Sequence, residues 1–325
     1  MFPRVSVIIP VLNRASIVRN ALDSVLHQYH KPYELIVVDN GSIDNTYAVV
    51  SDWLDKNKNQ GIKFKLLTEN NKGASFARQT GLCNAEGEFI YFHDSDDLMK
   101  PNLLLEVMQR IKDNPETDIV CWRCSIKLLD GKKRIPHFNL KNPVENHLIH
   151  SLLRTQGYII RKSFLERVGG WSKPLPVWND MELGLRILLQ NPKIIGIEKI
   201  LTEIYSQKES ITGLDFSSKE GEWENSLLVM NDVNENSEHP YKAKIYKILN
   251  YRKIILAAHY YREGNKKGAS KLIDATFKNL TFKEKVWLRF SYLYTLLGFR
   301  GAWRIIRFPY LFEVSDLFKI PKNKS

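Results

Sequence analysis

The first 128 residues alternate between two hydrophobic periods, and this alternation limits the possible folds more than any other property of the chain. "RVSVIIPV" (4–11) and "YELIVVD" (33–39) are compact β-branched runs, the pattern of strands buried on both faces. "IKFKLLT" (62–68) mixes in lysines, which predicts a strand with one wetter face or a place nearer a sheet edge. "EFIYFH" (88–93) and "DIVCWRCSIKLL" (118–129) read as a fourth and fifth strand. Between them, residues 15–28, 44–57, 72–85 and 101–113 place apolar side chains at helical spacing, as with Ile17, Ala21, Leu22, Val25 and Leu26. The class is α/β, with a mostly parallel sheet and helices on both faces.

In such sheets ligands bind outside the carboxyl ends of the strands. Those ends carry "PVLNR" (10–14), "DNGSID" (39–44), "ENNKG" (69–73) and "HDSDD" (93–97), which should line one crevice. Asp94, Ser95 and Asp96 form a D-x-D. Clustered carboxylates ionise together only at a cost unless a cation joins them, and a hard divalent ion takes oxygen ligands. Asp97 reads instead as a residue serving the next helix. Asp39 ends a buried strand, where a carboxylate can accept from a nucleoside N–H or hydroxyl. Gly41 permits a tight turn, and Asp44 can cap the next helix. Lys72 and Arg78 are basic groups beside the acidic edge, either solvated or set to neutralise a diphosphate. In "VWNDMELGLRI" (177–187), Asp180 opens a helix as a cap, a general base, or both, and Glu182 should pair with Arg186.

Charge divides the chain. Residues 241–325 hold 19 Lys and Arg against 5 Asp and Glu, whereas residues 1–240 are near balance at 29 against 31. A terminal excess of this kind points to a polyanion. Residues 283–312 interleave nine aromatics with Lys283, Lys285, Arg289, Arg300, Arg304 and Arg307. Two readings are open, a membrane-interface helix or a helical subdomain packing its aromatics inward. No nucleic-acid module is recognisable. From about 218 onward the pattern is helical, with two helices joined at Gly264-Asn265. Three cysteines give no disulfide framework, and Cys121 and Cys124, three apart on a strand, read as packing thiols. No run reaches the length of a membrane span, and the N-terminus lacks the pattern of a signal peptide.

The segments "VSVIIPVLNRA", "ELIVVDNGSIDNT", "NKGASFARQTGL", "GEFIYFHDSDDLMKP" and "GGW…NDMELGLR", in this order and spacing, resemble family 2 glycosyltransferases. The resemblance covers about the first 205 residues. It implies a GT-A fold with a Rossmann-like sheet in residues 1–215, nucleotide-binding in 1–128 and acceptor-binding in 129–215, followed by a basic helical region, 216–325. The implied activity is metal-dependent, inverting transfer from a nucleotide-diphosphate sugar to an acceptor hydroxyl, in cell-surface polysaccharide or glycolipid assembly. It implies that Asp39 contacts the base or ribose, with Pro10 and Asn13 forming the base pocket. Asp94 and Ser95 would face ribose and diphosphate, with Lys72 and Arg78 as further donor-binding groups. Asp96 would hold Mn²⁺ or Mg²⁺, and Asp180 would deprotonate the acceptor. UDP is the favoured nucleotide, the acceptor a saccharide or a lipid-linked one, and the location cytoplasmic or peripheral on the inner membrane face. The alternative function is a non-catalytic nucleotide-sugar-binding scaffold at the membrane. Two departures from the family pattern stand out. Asn179 replaces the usual acid before the catalytic Asp, and "EIYSQKES" (203–210) offers Gln207 and Lys208 where members often carry His.

Overall fold

The computed structural model describes residues 2–171, 175–207, 215–278, 280–307 and 310. The chain divides into two compact units, Met1–Gly213 and Leu214–Ser325.

The first unit is built on one nine-stranded sheet. Its parallel half consists of β1 (Val5–Val11), β2 (Glu34–Asp39), β3 (Lys63–Thr68) and β4 (Phe89–Phe92), in the order β3-β2-β1-β4. The helices α1 (Val18–Leu26), α2 (Thr46–Asn57), α3 (Ala74–Cys83) and α4 (Leu103–Asp113) connect or follow these strands, as the apolar spacing predicts. Every residue of β2 is buried, which accounts for its unbroken apolar run. Pro10 is tolerated because its nitrogen faces the β4 side beyond the last β1–β4 pair, Ile8 with Phe92, so no ladder bond is lost. β3 is the edge strand, and its lysines point to acids: Lys65 Nζ lies 3.0 Å from Glu34 and 2.9 Å from Glu86, and Lys63 Nζ lies 2.6 Å from Glu86.

The other half is mixed. β6 (Ile119–Lys127) does not lie beside β4; β8 (Tyr158–Arg161) runs between them, antiparallel to both. β9 (Ile194–Tyr205) runs parallel to β6 across a bulge at Trp122–Cys124. The short β5 (Leu98–Met99) pairs with the end of β9, and β7 (Lys133–Arg134) with the end of β6. Residues 129–157, irregular by pattern, include α5 (Pro143–His150) and a 3₁₀ turn at Thr155–Gly157. Cys121 and Cys124 are buried free thiols, and burial pushes the Cys124 thiol up to about 12.

α6 (Lys162–Arg167) ends at Gly169 and Gly170, both with positive φ, and α7 (Asn179–Leu189) follows after the loop. α7 packs on α5 at one close point. A Cβ on Gly184 would sit 2.2 Å from His147 Nε2, while the same nitrogen lies 2.9 Å from the Met181 carbonyl.

The second unit is helical: α8 (Glu222–Glu235), α9 (Lys242–Arg262), α10 (Lys266–Phe277), α11 (Phe282–Leu296) and α12 (Ala302–Ile306). The α9–α10 junction lies at Gly264-Asn265, where Gly264 adopts φ +92° and Asn265 Oδ1 accepts from Gly268 N at 2.9 Å. α9 is the central element against which α8, α10 and α11 pack.

Gly184→Ala should destabilise the protein by about 1–3 kcal/mol through overpacking at His147. Urea unfolding measures it, and unchanged stability would show that this contact yields freely.

Candidate active site

The loops at the carboxyl ends of β1 to β4 meet, and backbone polar groups hold them together. Asn13, at φ 52°, accepts from Ile43 N at 2.9 Å through its Oδ1, while its own N–H donates to Ser42 Oγ at 3.0 Å. Asn40 donates to the Glu69 and Asn71 carbonyls and accepts from Gly73 N at 2.8 Å, tying the β2 and β3 loops into one rim. Gly41 takes φ +79°, as its turn requires. Asp44 Oδ1 accepts from Thr46 N at 2.9 Å, but the N-cap position of α2 is Asn45, so Asp44 stands one residue before the cap expected of it.

Asp39 is buried at this rim. Its Oδ2 accepts from Ser42 N at 3.2 Å, and its Oδ1 has no partner among the described residues. A buried acceptor without a donor is costly, so this oxygen suits a ligand N–H or hydroxyl. Pro10 lies near the end of β1, half-buried, and Lys72 is exposed.

The acidic cluster is more ordered than its sequence suggests. Arg78, on α3 and only 6% exposed, donates through Nη2 to Asp94 Oδ1 at 2.8 Å. Its guanidinium stacks 4.7 Å from the centroid of the Trp171 ring. Gln156 donates to the other Asp94 oxygen. Asp94 is therefore gripped from two sides, and the solvated reading of Arg78 does not hold. Ser95 is buried beside it. Asp96 lies 3.7 Å from Arg14 Nη2, and burial together with the charge of Asp94 raises its carboxyl above the usual range.

Asp97 corrects the expectation that it serves the next helix. It is 1% exposed, α4 begins only at Leu103, and Asp97 Oδ1 accepts from Tyr205 N at 2.9 Å. The intervening β5 takes the chain to β9 first, so Asp97 latches the end of β9 to the acid loop. Burial and its two acidic neighbours push this carboxyl far up.

Asp180 sits in the first turn of α7, behind Trp178, which holds a left-handed φ of 52° at the cap position. Its Oδ1 accepts from Met181 N at 2.9 Å. Burial raises its carboxyl, opposed by the positive charges of Arg78 and Arg154 and reinforced by Asp94. The electrostatics of Arg78 thus reach both Asp94 and Asp180. Asn179 turns its amide to its own loop, with Nδ2 donating to the Leu175 carbonyl at 3.3 Å. A carboxylate could not make that bond, and an acid here would add charge beside Asp180. The expected Glu182–Arg186 pair forms at 2.6 Å, and Arg186 also donates to the carbonyls of Val168 and Gly170. This clamp fixes the Gly169–Trp171 turn to α7. Lys208 lies outside the described residues.

Two contributors were not singled out from sequence. Trp171 belongs to the quoted "GGW", and its role as a platform for Arg78 was legible only as a motif member. Gln156 had no signal, since an amide in an irregular segment carries no periodicity. Its position is set by a buried network: Thr202 Oγ1 at 3.0 Å and Tyr91 OH at 3.2 Å both donate to its carbonyl, and Trp122 Nε1 donates to Thr202.

Among the described residues no group of three or more His, Cys, Asp or Glu is arranged to hold a metal ion by itself. The donor set still fits a divalent ion of the kind that uses one or two carboxylates plus substrate phosphates. Asp96 offers hard oxygen atoms, and burial, with the neighbouring Asp94 charge, raises its carboxyl.

The architecture is that of the GT-A class. Staphylococcus aureus TarS (residues 1–349, with UDP-GlcNAc) superposes with a TM-score of 0.64 at 18% identity, over 94% of this chain and 91% of that one. The Pyrobaculum calidifontis mannosyltransferase PcManGT, with GDP-Man and Mn²⁺, gives a TM-score of 0.57 at 19% identity, over 96% and 85%. The profile of Glycosyl transferase family 2 matches residues 6–166. Escherichia coli WfgD, a UDP-Glc:α-D-GlcNAc-diphosphoundecaprenol β-1,3-glucosyltransferase, is 30% identical over 269 residues, 81% of this chain and 98% of that protein. The Rickettsia typhi glycosyltransferase RT0329 is 28% identical over 197 residues, and the match spans 59% of its length. The chain belongs to glycosyltransferase family 2.

Arg78→Met removes the guanidinium bonded to Asp94 and should cost about 1–3 kcal/mol of stability. Arg78→Lys, which keeps charge but not the planar fork, should recover part of it. Urea unfolding of the three proteins decides, and equal midpoints would show that Asp94 does not depend on this pair.

Proposed function

We propose that the protein transfers a sugar, with inversion, from a nucleotide-diphosphate sugar to an acceptor hydroxyl in the assembly of a cell-surface polysaccharide or glycolipid. One observation carries the reading. Arg78 is bonded to Asp94, and its charge also acts on Asp180, so one buried cation bears on both the carboxylate assigned to the donor and the one assigned as base.

In this reading Asp39 receives the base or ribose on its open oxygen, with Pro10 and Asn13 shaping the base pocket. Asp94 and Ser95 face ribose and diphosphate. Lys72, exposed on the rim, and Arg78 add positive charge toward the phosphates. Asp96 holds Mn²⁺ or Mg²⁺, which neutralises charge on the departing diphosphate when bound. Asp180 takes the acceptor proton. A hydroxyl is a weak nucleophile and needs an aligned base, and burial raises the proton affinity of Asp180 in the useful direction. UDP is the favoured nucleotide, supported by the UDP-Glc named for WfgD and the UDP-GlcNAc bound to TarS. The Mn²⁺ in PcManGT supports the metal. The diphosphoundecaprenol acceptor named for WfgD supports a lipid-linked acceptor here, and with it a peripheral place on the inner face of a membrane.

Release of nucleoside diphosphate from UDP-, GDP- and dTDP-sugars tests the reading. Asp180→Asn should lower kcat by roughly 10²–10⁴-fold with donor affinity retained. Donor binding without turnover in both proteins, with an authentic acceptor present, would establish a binding scaffold instead. Asp96→Ala should weaken Mn²⁺-dependent donor binding by about tenfold or more, read by calorimetry; unchanged dependence removes Asp96 as ligand.

The pH profile follows from Asp180. A base whose carboxyl is raised is lost to protonation at higher pH than an ordinary aspartate. The acid limb of kcat/KM should therefore lie above the usual value of about 4. A limb at or below that value would exclude Asp180 as the titrating base.

A further inference from the structure

α11 is built inside out. The side chains it buries are Leu288, Ser291 and Thr295, two of them polar. The side chains it exposes include Phe282 at 82%, Val286 at 44%, Phe290 at 37%, Leu293 at 55% and, just past its end, Leu297 at 74%. At 100° per residue these five fall within an arc of about 80°, and the buried three lie opposite. A helix partnered only by its own fold would present the reverse pattern. Lys283 and Arg289, both exposed, flank the apolar arc on its two sides, and Arg300 and Arg304 lie exposed just beyond the helix. The single acid of α11, Glu284, is engaged at its start, where it accepts from Thr281 N at 2.9 Å.

We propose that this face of α11 lies in the plane of an anionic lipid surface, with the apolar arc entering the acyl boundary and the basic residues meeting the headgroups. The dimensions suit an interfacial helix. Among the described residues no helix is long and apolar enough to cross a membrane. Charge chooses this occupant over a second copy. Two such faces pressed together would set Lys283 and Arg289 against the same residues of the partner, with no acid along the arc to offset them. An anionic headgroup layer complements both edges at once, and each basic residue at such a surface strengthens binding about fivefold. The proposal deepens the membrane-side reading of the acceptor but rests on residues outside the transfer site, so either can fail alone.

Flotation of the full chain with vesicles of phosphatidylethanolamine and phosphatidylglycerol tests it, with phosphatidylcholine vesicles as control. The chain should float with the anionic vesicles and at least about tenfold less with the neutral ones. The pair Leu293→Asp with Leu297→Asp should reduce anionic binding at least about tenfold, as should Lys283→Glu with Arg289→Glu. All four positions are exposed, and unchanged nucleotide-sugar binding and circular dichroism confirm that the variants fold. Asp180→Asn should float like the wild type. No flotation, or flotation unaffected by either pair, overturns the proposal. A dimer in light scattering that Leu293→Asp with Leu297→Asp dissolves, without vesicle binding, would assign the face to a second copy and overturn it too.

Discussion

Everything at the ligand edge of the sheet depends on how one carboxylate is held. Asp94 has acids at two of the next three positions, and left free the cluster would repel itself. The fold grips Asp94 with Arg78 from α3 on one oxygen and Gln156 from the turn before β8 on the other. Neither support is local in sequence. Arg78 is held by the face of Trp171, and Gln156 by the hydroxyls of Thr202 and Tyr91. The acid loop is thus fastened from parts of the unit distant in sequence, and the site is complete only when the mixed half of the sheet has joined the parallel half.

The same supports locate Asp180. The turn carrying Trp171 is tied to α7 by Arg186, which holds Glu182 while donating to the carbonyls of Val168 and Gly170. Trp171 in turn touches Arg78. The residue that orients Asp94 and the helix that carries Asp180 therefore share one rigid connection. Trp178 at φ 52° is the strained joint before that helix, where a bulky side chain takes a conformation usually left to glycine or asparagine.

The parallel half was legible in the sequence because β1, β2 and β4 are buried on both faces, and "VSVIIPV" and "ELIVVD" leave no other period to choose. The four connecting helices were legible for the same reason. The antiparallel β8 between β4 and β6 was not, since "YIIR" states a strand but not its neighbours. Asp39, Asp94, Asp96 and Asp180 could be chosen as candidates because carboxylates at strand ends and a helix start are conspicuous. Gln156 could not, because its importance comes from three hydroxyl and indole groups distant in the chain. Asp97 was misassigned because a dipeptide strand, too short to show any period, lies between it and α4. The basic, aromatic-rich character of residues 283–312 was visible, but the exposed arc of α11, with Val286, Leu293 and Leu297 in it, emerged only from the packing on α9.

The lysines of β3 carry a further consequence. This strand forms one margin of the sheet, where unpaired backbone groups could template a foreign strand. Lys63 and Lys65 stand on that margin with Glu34 and Glu86 as their counterions. A neighbour adding alongside would have to strip water from these ion pairs before gaining its first ladder bond. The margin is in effect insulated: a crowded population of these molecules would be kept from zipping into extended sheets by the same charges that moor the loop before β4.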